Sequence, residues 1–303
     1  MVEHNTETNR FELVGVGYRH HVSTPRRPSW RSRLRGKPYL AAAVLLIMVL
    51  GCVFAPFIAN HDPSAYYLTA LDQPPGHEYY FGTDTMGRDL FSILFYGGRA
   101  SLMIGVLGAA IIAVIGIIYG TISGVCNDHV DSAMMRLAEM GGSIPSILVV
   151  LILTAVFPAK NVVTMSIVIG VTGWFGLARI VRSEVRQIRN SEYVLYARSS
   201  GGKFLYVLWK HLLPNFLSAT MFVIVSSISS CITTESTLSF LGLGLPLDVL
   251  SWGSMLSLAN KALITNSWWV IIFPGVFLVI TLLCITDLGN YLRKEANRRP
   301  SNL

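Results

Sequence analysis

The sequence predicts an all-α integral membrane protein with about six transmembrane helices, and three observations carry that prediction. Of its 303 residues, 52% are hydrophobic and only 14% charged, with a mean hydropathy of +0.53, which is too apolar for an ordinary soluble domain. Several apolar runs approach the roughly 20 residues a helix needs to cross the hydrocarbon core of a bilayer. The basic residues are sorted by their position between those runs and are not gathered into one aromatic-laced patch, so the net charge of +7 points to a membrane rather than to nucleic acid.

Residues 1–38 read as a polar tail rich in Arg26, Arg27, Arg31, Arg33, Arg35 and Lys37. The apolar run 39–59 that follows is too long and too far from the terminus for a cleaved signal peptide, so it is expected to be an uncleaved first span. Residues 60–100 form an outer loop. The second span is expected over 101–125, where Gly116, Gly120 and Gly124 recur every four residues and leave one helix face smooth enough for close approach of another backbone. The third, 144–157, is short and must borrow residues 136–140 to reach bilayer thickness, which leaves a tilted or re-entrant segment open. Residues 162–181, 216–232 with some extension, and 268–288 supply the fourth, fifth and sixth spans, so that 101–290 is a five-helix core. Trp268 and Trp269 suit an interfacial anchor.

With these spans, Arg88, Arg99, Lys160 and Lys261 fall on one side and all the others of the 24 Lys and Arg on the opposite side. The positive-inside rule then places both termini, the 291–303 tail and the 179–213 loop, with the 190–214 segment at its carboxyl end, in the cytoplasm. A multi-pass protein of the plasma or inner membrane, surrounded by lipid, is expected.

The 190–214 loop has its own pattern. Tyr193, Tyr196 and Ala197 fall at i, i+3 and i+4, which puts two aromatics on one face of a short helix. Gly201 and Gly202 end that helix, since glycine takes the left-handed cap conformation readily. A second amphipathic stretch, Phe204, Leu205, Leu208, His211 and Leu212, runs to Leu213 and is interrupted by Pro214, which has no N–H to donate. On pattern alone this is either a rigid knob for a cytoplasmic partner or an interfacial hairpin resting on headgroups.

Elsewhere the polar residues have modest readings. Asp84, Arg88 and Asp89 are placed to cap and brace a helix start. His61, Asp62, His77, Glu78 and Asp84 share the outer loop but lack ligand spacing, so solvated polarity is favoured over a metal site. Glu235 is an ionisable group just beyond a span, which marks either a pathway or a carboxylate solvated at the helix end. Gly242, Gly244 and Pro246 after it suggest a tight outer re-entry. Glu139 and Asp287 sit near expected cytoplasmic helix ends, with roles no larger than end effects or arginine pairing. The four cysteines, Cys52, Cys126, Cys231 and Cys284, are widely spaced in apolar surroundings and read as inert thiols.

Four stretches in order then resemble a known family. Glu192 to Pro214 is similar to the cytoplasmic-loop signature of ABC importer permeases, commonly written E-A-A, three residues, Gly, nine residues, I-x-L-P. Gly201 takes the glycine place and Leu213-Pro214 the end, while Leu195-Tyr196-Ala197 stands for the triplet and His211 for the usual Ile. Phe81 to Ser92, with Gly82-Thr83-Asp84 and Gly87-Arg88-Asp89, is similar to a family L-G-T-D-x-x-G-R-D. Met135-Arg136-Leu137-Ala138-Glu139 with Ile144-Pro145, and Glu235 to Gly244 with Ser251-Trp252-Gly253, complete the set.

The resemblance is to the C-type permease subunit of dipeptide, oligopeptide and nickel importers, and it covers nearly everything from the first span to the last. It implies a type I ABC importer permease architecture with a cytoplasmic coupling helix. The implied partners are a homologous second permease subunit, two ABC ATPase subunits carrying ATP and Mg, and an extracytoplasmic substrate-binding protein. It further implies ATPase-coupling roles for Tyr193, Tyr196, Ala197, Arg198, Gly201, Gly202, Leu213 and Pro214, and an outer gate or path around Glu235, Ser239, Phe240, Gly242 and Gly244. No cofactor is expected on this chain.

Rival classes fare less well. The sequence lacks H-E-x-x-H, G-x-S-x-G and a Walker G-x-x-x-x-G-K-[ST], so it is not expected to be an enzyme or to hydrolyse ATP itself. A secondary transporter would show intramembrane acids or broken helices in two repeated halves, and no such internal repeat is visible; a scaffold without ATPase partners is opposed only by the motif set. Di- or oligopeptides are preferred over nickel or a metal chelate because no ligand cluster is visible.

Overall fold

A computed structural model describes residues 38–157, 161–189, 191–199 and 213–298. Among these residues the regular structure is helical, in the order α1 (Tyr39–Val53), α2 (Ala55–Ile58), α3 (Leu90–Val125), α4 (Asp128–Ser143), α5 (Ser146–Val156), α6 (Val162–Gly173), α7 (Phe175–Arg189), α8 (Glu192–Ser199), α9 (Leu213–Phe240), α10 (Trp252–Leu256), α11 (Ala259–Ile264) and α12 (Trp269–Arg298). Helices α3, α9 and α12 are long and apolar enough to cross a bilayer, and the count rises to five if each of two bent pairs, α4–α5 and α6–α7, is one span. The 15-residue α1 is a further apolar segment.

The first span is interrupted rather than continuous. Pro56 cannot donate to the carbonyl four residues back and its ring crowds that carbonyl, so the helix breaks at Phe54 between α1 and α2. The carbonyls left there are claimed by Arg99, whose Nε donates to Cys52 O and whose NH2 donates to Val53 O, each at 2.7 Å.

That use of Arg99 explains why the second span starts earlier than expected. Helix α3 begins at Leu90, where Asp89 caps it by accepting from the Ser92 N–H at 3.0 Å. Its 36 residues extend over about 54 Å at 1.5 Å per residue, and it is the element against which the others pack. Gly116 meets Leu177, Gly120 meets Ala178 and Val181, and Gly124 meets Val185, so the glycine stripe lies against α7 as its spacing predicts. A Cβ on Gly124 would approach the Val185 Cγ1 to 2.8 Å.

The third and fourth spans are both broken. Helices α4 and α5 are bent by 81° at Ile144-Pro145, and α6 and α7 by 49° at Trp174. Proline disfavours helical backbone in the residue before it, so Ile144 adopts extended backbone with φ −81° and ψ 130°. The borrowed residues 136–140 are therefore helical but not collinear with 146–156.

Two cores result. One joins α3, α6, α7 and α9 through Ile104, Ile112, Met165, Val181 and Phe216. The other joins α1, α3, α10 and α12 through Met48, Leu90, Leu94, Trp252 and Val270.

Candidate functional site

At the amino-terminal end of α3, three separate sequence stretches converge. Asp84 closes the 81–89 turn by accepting from the Met86 and Arg88 N–H groups, each at 2.9 Å, and from Arg88 Nε at 2.7 Å. Gly82 and Gly87 hold φ of +76° and +77°, conformations open to glycine at little cost. Trp269 Nε1 donates to Thr83 O at 2.9 Å and Arg88 NH1 donates to Leu247 O at 3.1 Å. The turn is thereby pinned to α12 and to the loop after α9.

The bracing expected of Asp84, Arg88 and Asp89 is observed, with all three buried. His61 stacks on Tyr79 with ring centroids 4.7 Å apart. Burial raises the Tyr79 phenol above its ordinary range, with the charges of Glu78 and Asp89 among the lesser causes. Among the described residues no three His, Cys, Asp or Glu side chains form a metal-sized group.

Glu235 sits inside α9, one turn before its end, with 0% of its surface exposed. The fifth span thus continues past residue 232 to Phe240, and Glu235 is not a solvated helix-end carboxylate. Its Oε1 accepts from Ser251 Oγ at 2.8 Å and Ser239 Oγ at 2.9 Å, and its Oε2 accepts from Ser236 Oγ at 3.3 Å. Ser251 opens α10 through a capping box with Ser254. The Trp252 N–H donates to Ser101 Oγ at 3.1 Å and its Nε1 donates to Leu94 O at 3.0 Å. A buried carboxylate and its hydroxyls therefore bind α9, α10 and α3 together, which spacing could not show because the partners lie far apart in sequence.

The rest of that segment is split between anchor and rim. Ser239 is buried and its Oγ also accepts from the Leu245 N–H at 3.1 Å. Phe240, Leu241 and Leu243 are exposed, and Gly242 takes φ +75°. Gly244 packs so closely on Ser239 that a Cβ would overlap it. A turn followed by the short helices α10 and α11 stands where the re-entry was expected.

At the other end of α3, charged groups form a clasp that sequence reading missed. Asp131 of α4 receives Arg182 Nε at 2.9 Å on Oδ1, a second contact from Arg182 NH2 on Oδ2, and the Ser123 hydroxyl of α3. Arg186 bonds Asp128 and lies 3.4 Å from Asp131. Arg189 NH1 donates to Val125 O at 2.9 Å, taking up a free carbonyl at the carboxyl end of α3. The three arginines recur at i, i+4 and i+7 along α7, a stripe that was counted only as loop charge.

Helix α8 follows this clasp. Val194 is fully buried, whereas Tyr196 is 73% exposed. Tyr193, Ala197 and Arg198 share α8, with side chains outside the described residues. Leu213 and Pro214 open α9, and Gly201 and Gly202 lie outside the described residues, as does the second amphipathic stretch.

Comparison with known proteins identifies the family. Residues 116–294 match the family of binding-protein-dependent transport system inner membrane components, and residues 37–75 match the N-terminal TM domain of oligopeptide transport permease C. The chain is 35% identical to the dipeptide transport system permease protein of Bacillus subtilis (strain 168) over 299 residues, 96% of this chain and 93% of that protein. It is 38% identical to the oligopeptide transport system permease protein of the same organism over 250 residues, 82% of this chain and 81% of that one. The corresponding Haemophilus influenzae oligopeptide permease is 36% identical over 268 residues, 87% of this chain and 85% of its own length. With long apolar helices, two broken spans and a matched region running from the glycine stripe of α3 into α12, the chain belongs to the binding-protein-dependent transport system inner membrane components, multi-pass membrane permease subunits.

Proposed function

We propose that this chain forms half of the translocation path of an ATP-driven importer of di- or oligopeptides. The observation that carries the reading is likeness along nearly the whole chain to permeases named for dipeptides and oligopeptides. Peptide cargo is favoured over nickel because these relatives are named for peptides. Both termini are assigned to the cytoplasm from the distribution of Lys and Arg. The other half is a homologous permease, ATP and Mg act on two separate ATPase subunits, and an extracytoplasmic binding protein delivers cargo.

The geometry supports a mechanical role for the chain. The ATPase groove receives α8 through exposed Tyr196 and the neighbouring Tyr193, Ala197 and Arg198, and the family resemblance implies the same coupling role for Gly201, Gly202, Leu213 and Pro214. Val194, buried in the core formed by α3, α6, α7 and α9, fixes α8 to the spans. The arginine clasp of α7 carries the displacement to α3 and α4. At the far end Glu235 and Ser239 hold the rim of Phe240, Gly242 and Gly244, which serves as the outer gate. ATP binding by the partners acts through differential affinity for inward- and outward-open conformations.

The test is co-purification in mild detergent from the native membrane, comparing the tagged chain with a Gly201→Pro, Gly202→Pro variant. A Walker-containing ATPase and a second permease should accompany the unsubstituted chain, and the ATPase alone should be lost from the variant. Recovery of neither partner with an intact, folded chain would overturn the reading.

A further inference from the structure

Helix α4 carries two charges that its packing does not use. Asp131, Met135 and Ala138 face inward against α3 and α7, whereas Arg136, Leu137, Glu139 and Met140 are exposed. Among the described residues neither Arg136 nor Glu139 takes part in an ion pair. Of the two modest roles expected for Glu139, arginine pairing is not observed among the described residues, and the residue lies one turn before the end of α4 at Ser143.

Position along the bundle makes this unusual. Asp131 belongs to the charged clasp at the end of α3, and α4 runs inward from it. The Tyr119 hydroxyl of α3 donates to Met134 O at 2.7 Å. Farther along, Gly141 is so close to Phe175 that a Cβ would lie 2.6 Å from its ring. Phe175 lies tilted against Trp174, and Trp174 against Tyr119, with centroids 4.4 and 4.6 Å apart. The break of α4–α5 thus meets the break of α6–α7, and residues 142–146, non-helical at 144 and 145, are exposed there.

Two physical constraints apply to such a place. Ionisable residues within a span face a bundle interior or a water-filled cavity. Irregular backbone at membrane depth persists only where protein buries it or water lines it. With the bent pair α4–α5 taken as one span, both features occur on one exposed face, so lipid is a poor neighbour for it. An extended dipeptide, at about 3.3–3.6 Å per residue, has its ammonium and carboxylate about one helical turn apart. Arg136 and Glu139 are three residues apart, neighbours on one helix surface at about 5–6 Å between Cβ atoms.

We infer that the Arg136/Glu139 face of α4 and the adjoining break at 142–146 line the water-filled path, Glu139 receiving the amino-terminal ammonium of a short peptide and Arg136 its carboxylate. Leu137 and Met140, interleaved with them, accept apolar cargo side chains without demanding one shape. The inference rests on the peptide-importer reading for its cargo, but the placement beside water does not.

The experiment uses the full importer in proteoliposomes. Single Glu139→Cys and Ser143→Cys variants are treated with a membrane-impermeant thiol reagent, alongside Ile47→Cys on the exposed face of α1, each against the background of the unsubstituted chain. Labelling at 139 and 143 well above that at 47, changing on trapping the ATPases with vanadate, is expected; labelling no faster than at 47 in either state overturns the placement. Glu139→Gln should lower uptake of a dipeptide with a free amino terminus by about tenfold, the loss of one charge-assisted hydrogen bond. Complex assembly should persist. Unchanged uptake in Glu139→Gln overturns the recognition role. If the unsubstituted complex takes up no peptide while 139 labels from water, the cargo assignment falls and the path placement stands.

Discussion

Asp131 of α4 and Arg182 of α7 meet as a two-point pair, with Arg182 Nε donating to Oδ1 at 2.9 Å and NH2 to Oδ2. Asp131 is almost fully enclosed, while the Arg182 side chain remains 30% exposed. The planar fork of arginine matches a carboxylate in a way the lysine ammonium cannot. Removing one partner from a buried pair costs about 3–5 kcal/mol because the other charge is stranded. Asp131→Asn and Arg182→Gln should each lower the unfolding midpoint in detergent, Asp131→Asn more, since it strands Arg182 and leaves Arg186 with only Asp128. The double variant should be less destabilised than the two losses added. Additive losses would show that the pair is not a unit.

The contact of Gly120 with α7 sets a second expectation. A methyl there would overlap the Ala178 carbonyl oxygen and lie 2.8 Å from Val181 Cβ, and neither backbone nor a β-branched carbon can move aside cheaply. Gly120→Ala should cost about 1–3 kcal/mol, the range for overpacking, seen as earlier thermal unfolding. Gly275, where a Cβ would meet nothing within 4 Å, is the comparison: Gly275→Ala should unfold no earlier than the unsubstituted chain. Equal effects at the two positions would contradict close packing of α3 on α7.

Glu235 offers a test of what a buried polar cluster does. Glu235→Gln keeps the volume and one carbonyl acceptor, and serine hydroxyls rotate to accept from the new amide. Glu235→Ala leaves Ser236, Ser239 and Ser251 hydroxyls without their acceptor and opens a cavity. The alanine variant should lose at least about 3 kcal/mol, given about 1–3 kcal/mol for each of the unsatisfied buried hydroxyls, with accelerated proteolysis in the 241–251 loop. The glutamine variant should lose less than half as much. If both lose equally, charge and not hydrogen bonding holds α9, α10 and α3 together.

How far the sequence reaches is visible in these same residues. Gly116, Gly120 and Gly124 announced a packing face because helical periodicity is local, and Asp84 and Asp89 announced a turn and a cap for the same reason. The span limits shifted where a long-range contact decides the boundary: residues 90–100 were expected in the outer loop but begin α3, and Arg99 there takes up the Cys52 and Val53 carbonyls at the end of α1. Asp131 with Arg182 and Glu235 with Ser251 depend on which helices become neighbours. Separations of 51 and 16 residues across helix breaks carry no periodic signal. Of the residues proposed for coupling, helicity at 192–199 was legible from the spacing of Tyr193 and Tyr196, whereas the burial of Val194 between them was not.

Val194 and Tyr196 lie two residues apart on α8, so they project in different directions, and they separate holding the knob from engaging a partner. Val194 is fully buried in the core and Tyr196 is 73% exposed. Val194→Ala removes two methyl groups from packed surroundings and should cost about 1–3 kcal/mol in stability at about 0.8 kcal/mol per buried methylene plus the cavity. Tyr196→Ala removes surface that this chain leaves in solvent, so its unfolding midpoint should not change. Exposed aromatics at the centre of an interface are often worth about 2 kcal/mol or more, a factor of about 30 in affinity. Tyr196→Ala should therefore weaken recovery of the ATPase and lower transport while the isolated permease remains as stable as before. A Tyr196→Ala chain that binds the ATPase and transports normally would move the contact to the rest of the 190–214 loop.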